Sequence, residues 1–130
     1  MYHTKTHDIT VSAMPVYIDE RSDPDNSQYF WAYRIVIKNE SDIAVQLLRR
    51  YWHITDGNGK VEEVAGDGVV GETPTIEPGT SFDYTSGCPL TTPSGIMTGK
   101  FFLVDEDGND LEIAIPAFSL DLPDIKPTYN

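Results

Sequence analysis

Apolar side chains recur at every second position along this chain, in short runs that end at Gly, Pro, Asn or Asp. In the clearest run, residues 29–38, the residues of one face are all apolar or aromatic: Tyr29, Trp31, Tyr33, Ile35 and Ile37. Arg34 and Lys38 fall on the opposite face. A period of two predicts a half-buried β-strand, with Trp31 and Tyr33 anchored in the core.

Further runs of this kind predict strands at 9–13, 45–55 and 61–64, around Phe82, and over 97–103 and 111–120. Pro15 cannot donate to a sheet hydrogen bond, so the first strand is expected to be an edge strand or to break there. The residues predicted to anchor the core lie on the aromatic-rich strands: Trp31, Tyr33, Trp52, Phe82, Tyr84, Phe101 and Ile113.

The alternation slips by one residue between Leu47 and Leu48. This slip predicts a β-bulge that turns Trp52 and Ile54 toward the core. Two turns are also predicted: a hairpin at 56–59, where both glycines can take positive φ, and a type II turn at 77–79.

About seven short strands joined by turns, without a helical pattern between them, predict an antiparallel two-sheet sandwich similar to immunoglobulin or fibronectin type III domains. A closed barrel is the alternative. With 130 residues, the chain is long enough for one hydrophobic core. The predicted single domain covers 1–122, and residues 123–130 are expected to form a loose tail.

The 21 acidic and 9 basic side chains give a net charge of −12. This charge disfavours binding to nucleic acid or to an anionic membrane, because both depend on Lys and Arg. The N-terminus has no apolar stretch typical of a secretory signal, and no run of about 18 apolar residues could span a membrane. With Cys88 as the single cysteine, these features predict a cytoplasmic protein.

Gly66, Gly68 and Gly71 give the spacing G-x-G-x-x-G, which in dinucleotide sites joins a strand to a helix. Here two prolines follow within 72–79 and prevent that helix, and the acidic neighbours would repel phosphate. We therefore expect these glycines to serve the backbone, with no cofactor bound.

Asp105, Asp107 and Asp110 could bind a hard cation weakly through their carboxylates. The EF-hand pattern is incomplete, because Pro116 occupies the position of the bidentate glutamate. A charged turn is the expected structure, and no resident metal is predicted.

Cys88 and His53 are the only thiol and imidazole that could form a nucleophilic pair, and nothing in the sequence supplies a third, orienting group. His3 and His7 have the spacing of helical metal ligands but lie in a polar terminus without a helix signal. No catalytic residue is therefore predicted.

Residues 85–97 are small, rich in Pro and Gly, and uncharged. One interpretation is a loop over the end of the sandwich, with Cys88 and Leu90 tucked beneath it; another is a rigid surface for a partner. The two are compatible. The predicted partner contacts are Leu90, Thr92 and Pro93, and bulky or charged substitutions at Thr92 are expected to weaken binding while leaving the melting temperature nearly unchanged.

Several motifs, taken in order, resemble the ApaG family over nearly the whole chain. They include LLRRYWHITDGNGK at 47–60, VEEV at 61–64 and GDGVVGE at 66–72. They continue with PG at 78–79, YTSGCPL at 84–90, PSG at 93–95 and MTG at 97–99.

This resemblance implies a fibronectin type III-like sandwich, a bacterial cytoplasmic protein and no established enzymatic activity. It also carries a loose association with cobalt and magnesium resistance. The leading hypothesis is a non-catalytic protein-interaction or accessory module with an unidentified protein partner, present as a monomer or weak homodimer. The alternative is a binder of nucleotide, pyrophosphate or divalent cation, linked to dinucleotide polyphosphate metabolism or metal homeostasis.

Overall fold

A computed structural model describes residues 2–123 of the chain, which form nine β-strands. In chain order they are β1 (Tyr2–Thr6), β2 (Ile9–Tyr17), β3 (Tyr29–Asn39), β4 (Val45–Asp56), β5 (Val61–Asp67), β6 (Thr75–Ile76), β7 (Ser81–Leu90), β8 (Gly95–Asp105) and β9 (Asp110–Leu120). Two short 3₁₀ turns, Asp19–Arg21 and Pro24–Asn26, lie between β2 and β3.

The strands form two antiparallel sheets packed face to face, which confirms the predicted sandwich. The first sheet has the order β1-β2-β3-β7. The second has the order β5-β4-β8-β9, and the short β6 pairs with the start of β4. On one side of the sandwich β1 and β2 pack against β9. On the other side, β7 and β5 are the edge strands of their sheets.

The core lies between the sheets and contains most of the predicted anchors. Trp31, Tyr33, Trp52, Tyr84, Phe101 and Ile113 are all buried. Phe82 differs from the prediction: it is only partly buried and packs against the edge of the core. It lies near the start of β7, an edge strand, where the partner sheet gives less cover.

The predicted bulge in β4 is present. The pairing of β4 with β8 shifts register between Leu47 and Arg49, so Leu48 is the extra residue. Because side chains alternate along a strand, one extra residue reverses which positions face the core. Trp52 and Ile54 are accordingly buried, as predicted.

The strand count and the start of the chain differ from the prediction. Residues 2–6 form β1, which pairs with residues 9–13 of β2, so β2 lies inside the sheet there. β2 then continues through Pro15 to Tyr17 along β3. The pairing with β1 stops at Ala13, so Pro15 lies where one side of β2 is open and a missing donor is tolerated.

Two turn predictions require correction. Gly59 has a positive φ of 84°, but Gly57 does not; instead it lies close to Thr92 and Ser94.

Residues 85–95 are not one loop, because β7 runs to Leu90 and only 91–94 form the turn before β8. Gly87 lies against the ring of Phe30, and a β-carbon there would overlap the ring unless the ring moved. The glycine thus lets the Phe30 side chain of β3 lie across β7.

At the C-terminal end, β9 extends through Phe118 to Leu120, as the alternation predicted. The predicted tail, 123–130, lies outside the described residues from position 124 onward.

Candidate functional site

The open side of the sandwich contains a cleft between the two sheets, with a volume of about 310 Å³. We call it the inter-sheet cleft. Its walls combine apolar side chains with a few polar groups: Tyr33, Arg50, Trp52, Ile54, Glu62, Val64, Val69, Val70, Tyr84, Ser86, Gly87, Cys88, Pro89 and Met97. A small set of polar groups in an apolar concavity is typical of ligand sites.

Arg50 enters the cleft because of the bulge at Leu48. It falls in the same row of β4 as Trp52 and Ile54, whose side chains face the core. Its Nη1 donates hydrogen bonds of 2.9 Å to the carbonyl oxygens of Asp67 and Gly68. Gly66 makes room for this side chain, since a β-carbon there would lie within 3.0 Å of three guanidinium atoms.

Tyr33 and Tyr84 extend from the first sheet toward the cleft, and both are buried. Burial raises the pKa of each phenol above its ordinary value, while the charge of Arg50 opposes that shift. Both phenols are therefore neutral at physiological pH. The hydroxyl of Tyr84 has no hydrogen-bond partner in the described protein.

The glycine run forms a loop against Arg50, and the amides of Gly68, Val69 and Glu72 are bonded within the protein. Gly68 N–H donates to Leu48 O, and Val69 and Glu72 exchange two backbone hydrogen bonds around the Val70–Gly71 turn. Val70 and Gly71 both have positive φ, as a type I′ turn requires. A two-residue β-turn follows the strand where a dinucleotide site needs a helix, so the geometry supports a backbone role for Gly66, Gly68 and Gly71.

The acidic turn at 105–110 is built around the Asp105 carboxylate. It accepts hydrogen bonds from Asn109 N–H and Asp107 N–H, which lower the pKa of Asp105. Asp107 and Asp110 are exposed. Among residues 2–123, no three His, Cys, Asp or Glu side chains are grouped so that they could hold a metal ion.

Cys88 and His53 do not meet. Cys88 is buried between the sheets. His53 alternates with Trp52 and Ile54 and therefore lies on the outer face of the second sheet. His3 and His7 are exposed, the first on β1 and the second in the turn that follows it.

Burial raises the pKa of the Cys88 thiol from its ordinary value of 9.0 to about 11. Because the thiolate is the reactive form, alkylation of the native protein by iodoacetamide should stay slow at pH 8 and accelerate as the pH approaches 11. Urea should abolish this protection. Mass spectrometry of alkylation time courses would measure both rates, and fast labelling of folded protein at pH 7 would contradict the buried position.

Of the predicted partner contacts, Thr92 is placed differently from what the sequence suggested. Thr92 is only 6% exposed. Its Oγ1 accepts a 2.9 Å hydrogen bond from Gly57 N–H and donates one of 2.8 Å to Ser94 O. It therefore ties the turn between β7 and β8 to the turn between β4 and β5, and a partner has little access to its side chain. Leu90 is half-buried and Pro93 is exposed.

A second concavity, with a volume of about 450 Å³, lies at the end of the sandwich beside the two turns that Thr92 joins. We call it the end hollow. It adjoins the inter-sheet cleft, since Ile54, Glu62 and Pro89 line both. The remaining wall residues are Arg21, Gln28, Tyr29, Phe30, Asp56, Lys60, Leu90 and Thr91.

The sequence interpretation missed Arg50. A signal for it was present, because the bulge that turns Trp52 and Ile54 inward also turns the residue two positions before Trp52. The other cleft residues come from β3, β4, β5, β7 and β8 and from the loop after β5, which the packing of the two sheets brings together. No local pattern contains that information.

No helix among residues 2–123 has the length and apolar character to cross a bilayer. The fold and the cleft define an all-β, two-sheet sandwich domain similar to fibronectin type III domains, in which the described residues form no catalytic thiol–imidazole pair.

Residues 19–105 match the model of the ApaG domain family. The full chain is 56% identical over 130 residues to Protein ApaG of Sinorhizobium fredii and 56% identical to that of Mesorhizobium japonicum, covering 100% of each. A crystal structure described as an ApaA protein of Bordetella pertussis superposes with a TM-score of 0.89 at 46% identity, covering 93% of this chain and 98% of that one. The chain belongs to the ApaG domain family.

Proposed function

We propose that this protein is a non-catalytic interaction module whose partner is another protein. In this proposal, a segment of the partner places an apolar side chain in the end hollow. The observation that carries it is the hollow itself, which has about 450 Å³ of space and an apolar wall made of Tyr29, Phe30 and Leu90. Aromatic and aliphatic pockets with a polar rim are typical centres of protein interfaces.

The wall of the end hollow is held in place before any partner arrives. The hydrogen bonds of Thr92 join its two bordering turns, and Leu90 packs against the core. On the far wall, the guanidinium of Arg21 lies 4.2 Å from the centre of the Phe30 ring. A surface already fixed in its bound shape loses less conformational entropy on association.

The edges beside the end hollow favour an extended partner segment. β7 pairs only with β3, and β5 pairs only with β4, within the described residues. Each strand therefore offers one unpaired row of backbone groups to which an extended peptide can add. The exposed Glu62 and Glu63 of β5 favour basic residues in such a segment.

The test uses tagged protein as bait in lysates of cells that express it naturally, with quantitative mass spectrometry. Thr91 is exposed and lines the end hollow, so Thr91→Arg should reduce capture of the partner by about tenfold or more with little change in melting temperature. Pro93→Arg, in the same turn but outside the hollow, is the matched control and should capture the partner as wild type does.

Three results would contradict this proposal: no protein enriched over the untagged control, equal loss with both variants, or loss with Pro93→Arg alone. The last would place the contact at the turn tip, as the sequence suggested. Thr92→Val serves as a structural reference. It leaves Gly57 N–H without its partner and should cost about 1–3 kcal/mol of stability.

A further inference from the structure

Arg50 is a half-buried cation in the wall of the inter-sheet cleft, and it forms no salt bridge within the described residues. The hydrogen bonds that Arg50 makes within the described protein all come from Nη1. Nε and Nη2 therefore keep donors for another group. An arginine presents its donors in a planar fork that matches a carboxylate in geometry and charge.

The second observation is the unpartnered hydroxyl of Tyr84, in the same cleft. Tyr84 is only 7% exposed, and its hydroxyl finds no acceptor or donor in the described protein. A buried hydroxyl left without a hydrogen bond destabilises a protein by about 1–3 kcal/mol, so such groups are rare unless water or a ligand occupies the site. Arg50 and Tyr84 belong to different sheets and line opposite walls of the cleft, close enough for the charge of Arg50 to lower the pKa of Tyr84.

The rest of the wall decides the chemistry of the ligand. Trp52, Val64, Val69 and Met97 provide apolar surface. Among the described residues, the only charged groups in the wall are Arg50 and, on the edge strand β5, the exposed Glu62. Cys88 and both tyrosines are neutral. A wall with one cation and one carboxylate favours a singly charged anion over a phosphate dianion, and in the adjacent glycine loop the amides of Gly68, Val69 and Glu72 are already bonded.

We propose that the inter-sheet cleft binds a small organic acid, with its carboxylate between Arg50 and the Tyr84 hydroxyl and its apolar body against Trp52 and Val69. At about 310 Å³ the cleft is near the lower end of ligand-site volumes, so it suits an acid with a single ring or a short chain. This site does not depend on the protein partner of the end hollow.

The test is a titration of the full chain with phenylacetate and hexanoate, followed by nuclear magnetic resonance and calorimetry. Saturable shifts should map to residues of the cleft. Phenylacetamide, which has the same shape without the charge, should bind at least about tenfold more weakly, as expected for loss of a hydrogen bond to a charged group. Inorganic phosphate, ATP, diadenosine tetraphosphate and NAD should give no saturable binding in the cleft.

The Tyr84→Phe variant tests the effect of the hydroxyl on ligand affinity separately from its effect on stability. Removing a hydroxyl that has no partner should leave the melting temperature unchanged or raise it, and should weaken phenylacetate binding about tenfold or more. Tyr17→Phe, on β2 and outside the cleft lining, is the matched control and should bind as wild type does.

Absence of binding by both acids would overturn the proposal, as would equal binding of phenylacetamide or unchanged affinity in Tyr84→Phe. Stronger binding of phosphate than of phenylacetate would also overturn it. A peptide ending in phenylalanine that binds much more tightly than phenylacetate, with its amidated form inactive, would reject a free acid and assign the carboxylate to a partner's C-terminus.

Discussion

Replacing Trp52 by alanine should lower the free energy of unfolding by about 3–5 kcal/mol. Trp52 is 3% exposed and joins the two sheets. Its ring centre lies 5.2 Å from that of Tyr33 and 6.0 Å from that of Phe118, both in edge-to-face arrangements. Alanine would lose these contacts and leave a cavity that rigid strands on both sides cannot close.

Trp31→Ala should have an effect of the same size. Trp31 is 1% exposed, and its indole N–H donates a 2.8 Å hydrogen bond to Asp121 O, just beyond β9. Urea unfolding followed by circular dichroism would give both values. Ile96→Ala is the control, because Ile96 is 53% exposed and its replacement should change stability by about 0.5 kcal/mol or less. An unchanged midpoint in both tryptophan variants would show that these side chains do not carry the core.

Gly68→Ala should cost about 2–4 kcal/mol, whereas Gly71→Ala, three residues later, should cost about 1–2 kcal/mol. Both glycines have positive φ, +61° and +81°. The space around them differs. A β-carbon at Gly68 would lie 2.2 Å from the carbonyl oxygen of Glu72, whereas a β-carbon at Gly71 would have no atom of the described residues within 4 Å. The Glu72 carbonyl cannot move away without losing its 2.8 Å hydrogen bond from Val69 N–H.

This pair of variants separates steric clash from backbone conformation, since the conformational cost is common to both. Thermal and urea melts of the two proteins would measure the difference directly. Equal losses would mean that the loop relaxes around the new methyl group. A Gly68→Ala protein as stable as wild type would show that the glycine run is not needed for the backbone and would reopen its role in ligand binding.

Much of the fold could be predicted from the sequence because strand alternation is a local property. The row from Tyr29 to Ile37 identifies a strand and its buried face without knowledge of its neighbours. The slip at Leu47 and Leu48 predicts a bulge for the same reason, because the break in the apolar alternation can be seen in the sequence of this segment alone. Gly79 has the positive φ expected of the predicted turn.

The prediction was wrong where a residue's role depends on what packs against it. Pro and Gly in 85–95 suggested a loop, but Gly87 lies under Phe30 and Pro89 lies on an edge strand, where proline is tolerated. Thr92 looked like a surface residue because its partner, Gly57, is distant in sequence. β1 was missed because its side chains are largely exposed and show no apolar period.

The sequence by itself determined that this chain is an all-β sandwich domain, and its ordered motifs indicated the ApaG family. Tertiary structure decided which edges remain open and which polar groups share a cleft. Arg50 and Tyr84 lie on strands of different sheets, and each looks like an ordinary strand residue in its own segment. They line one cleft because the two sheets pack face to face, with the edge strands β5 and β7 on the same side of the sandwich. Such contacts between distant segments leave no periodic trace in the chain, so the sequence could predict the strands but not the site between them.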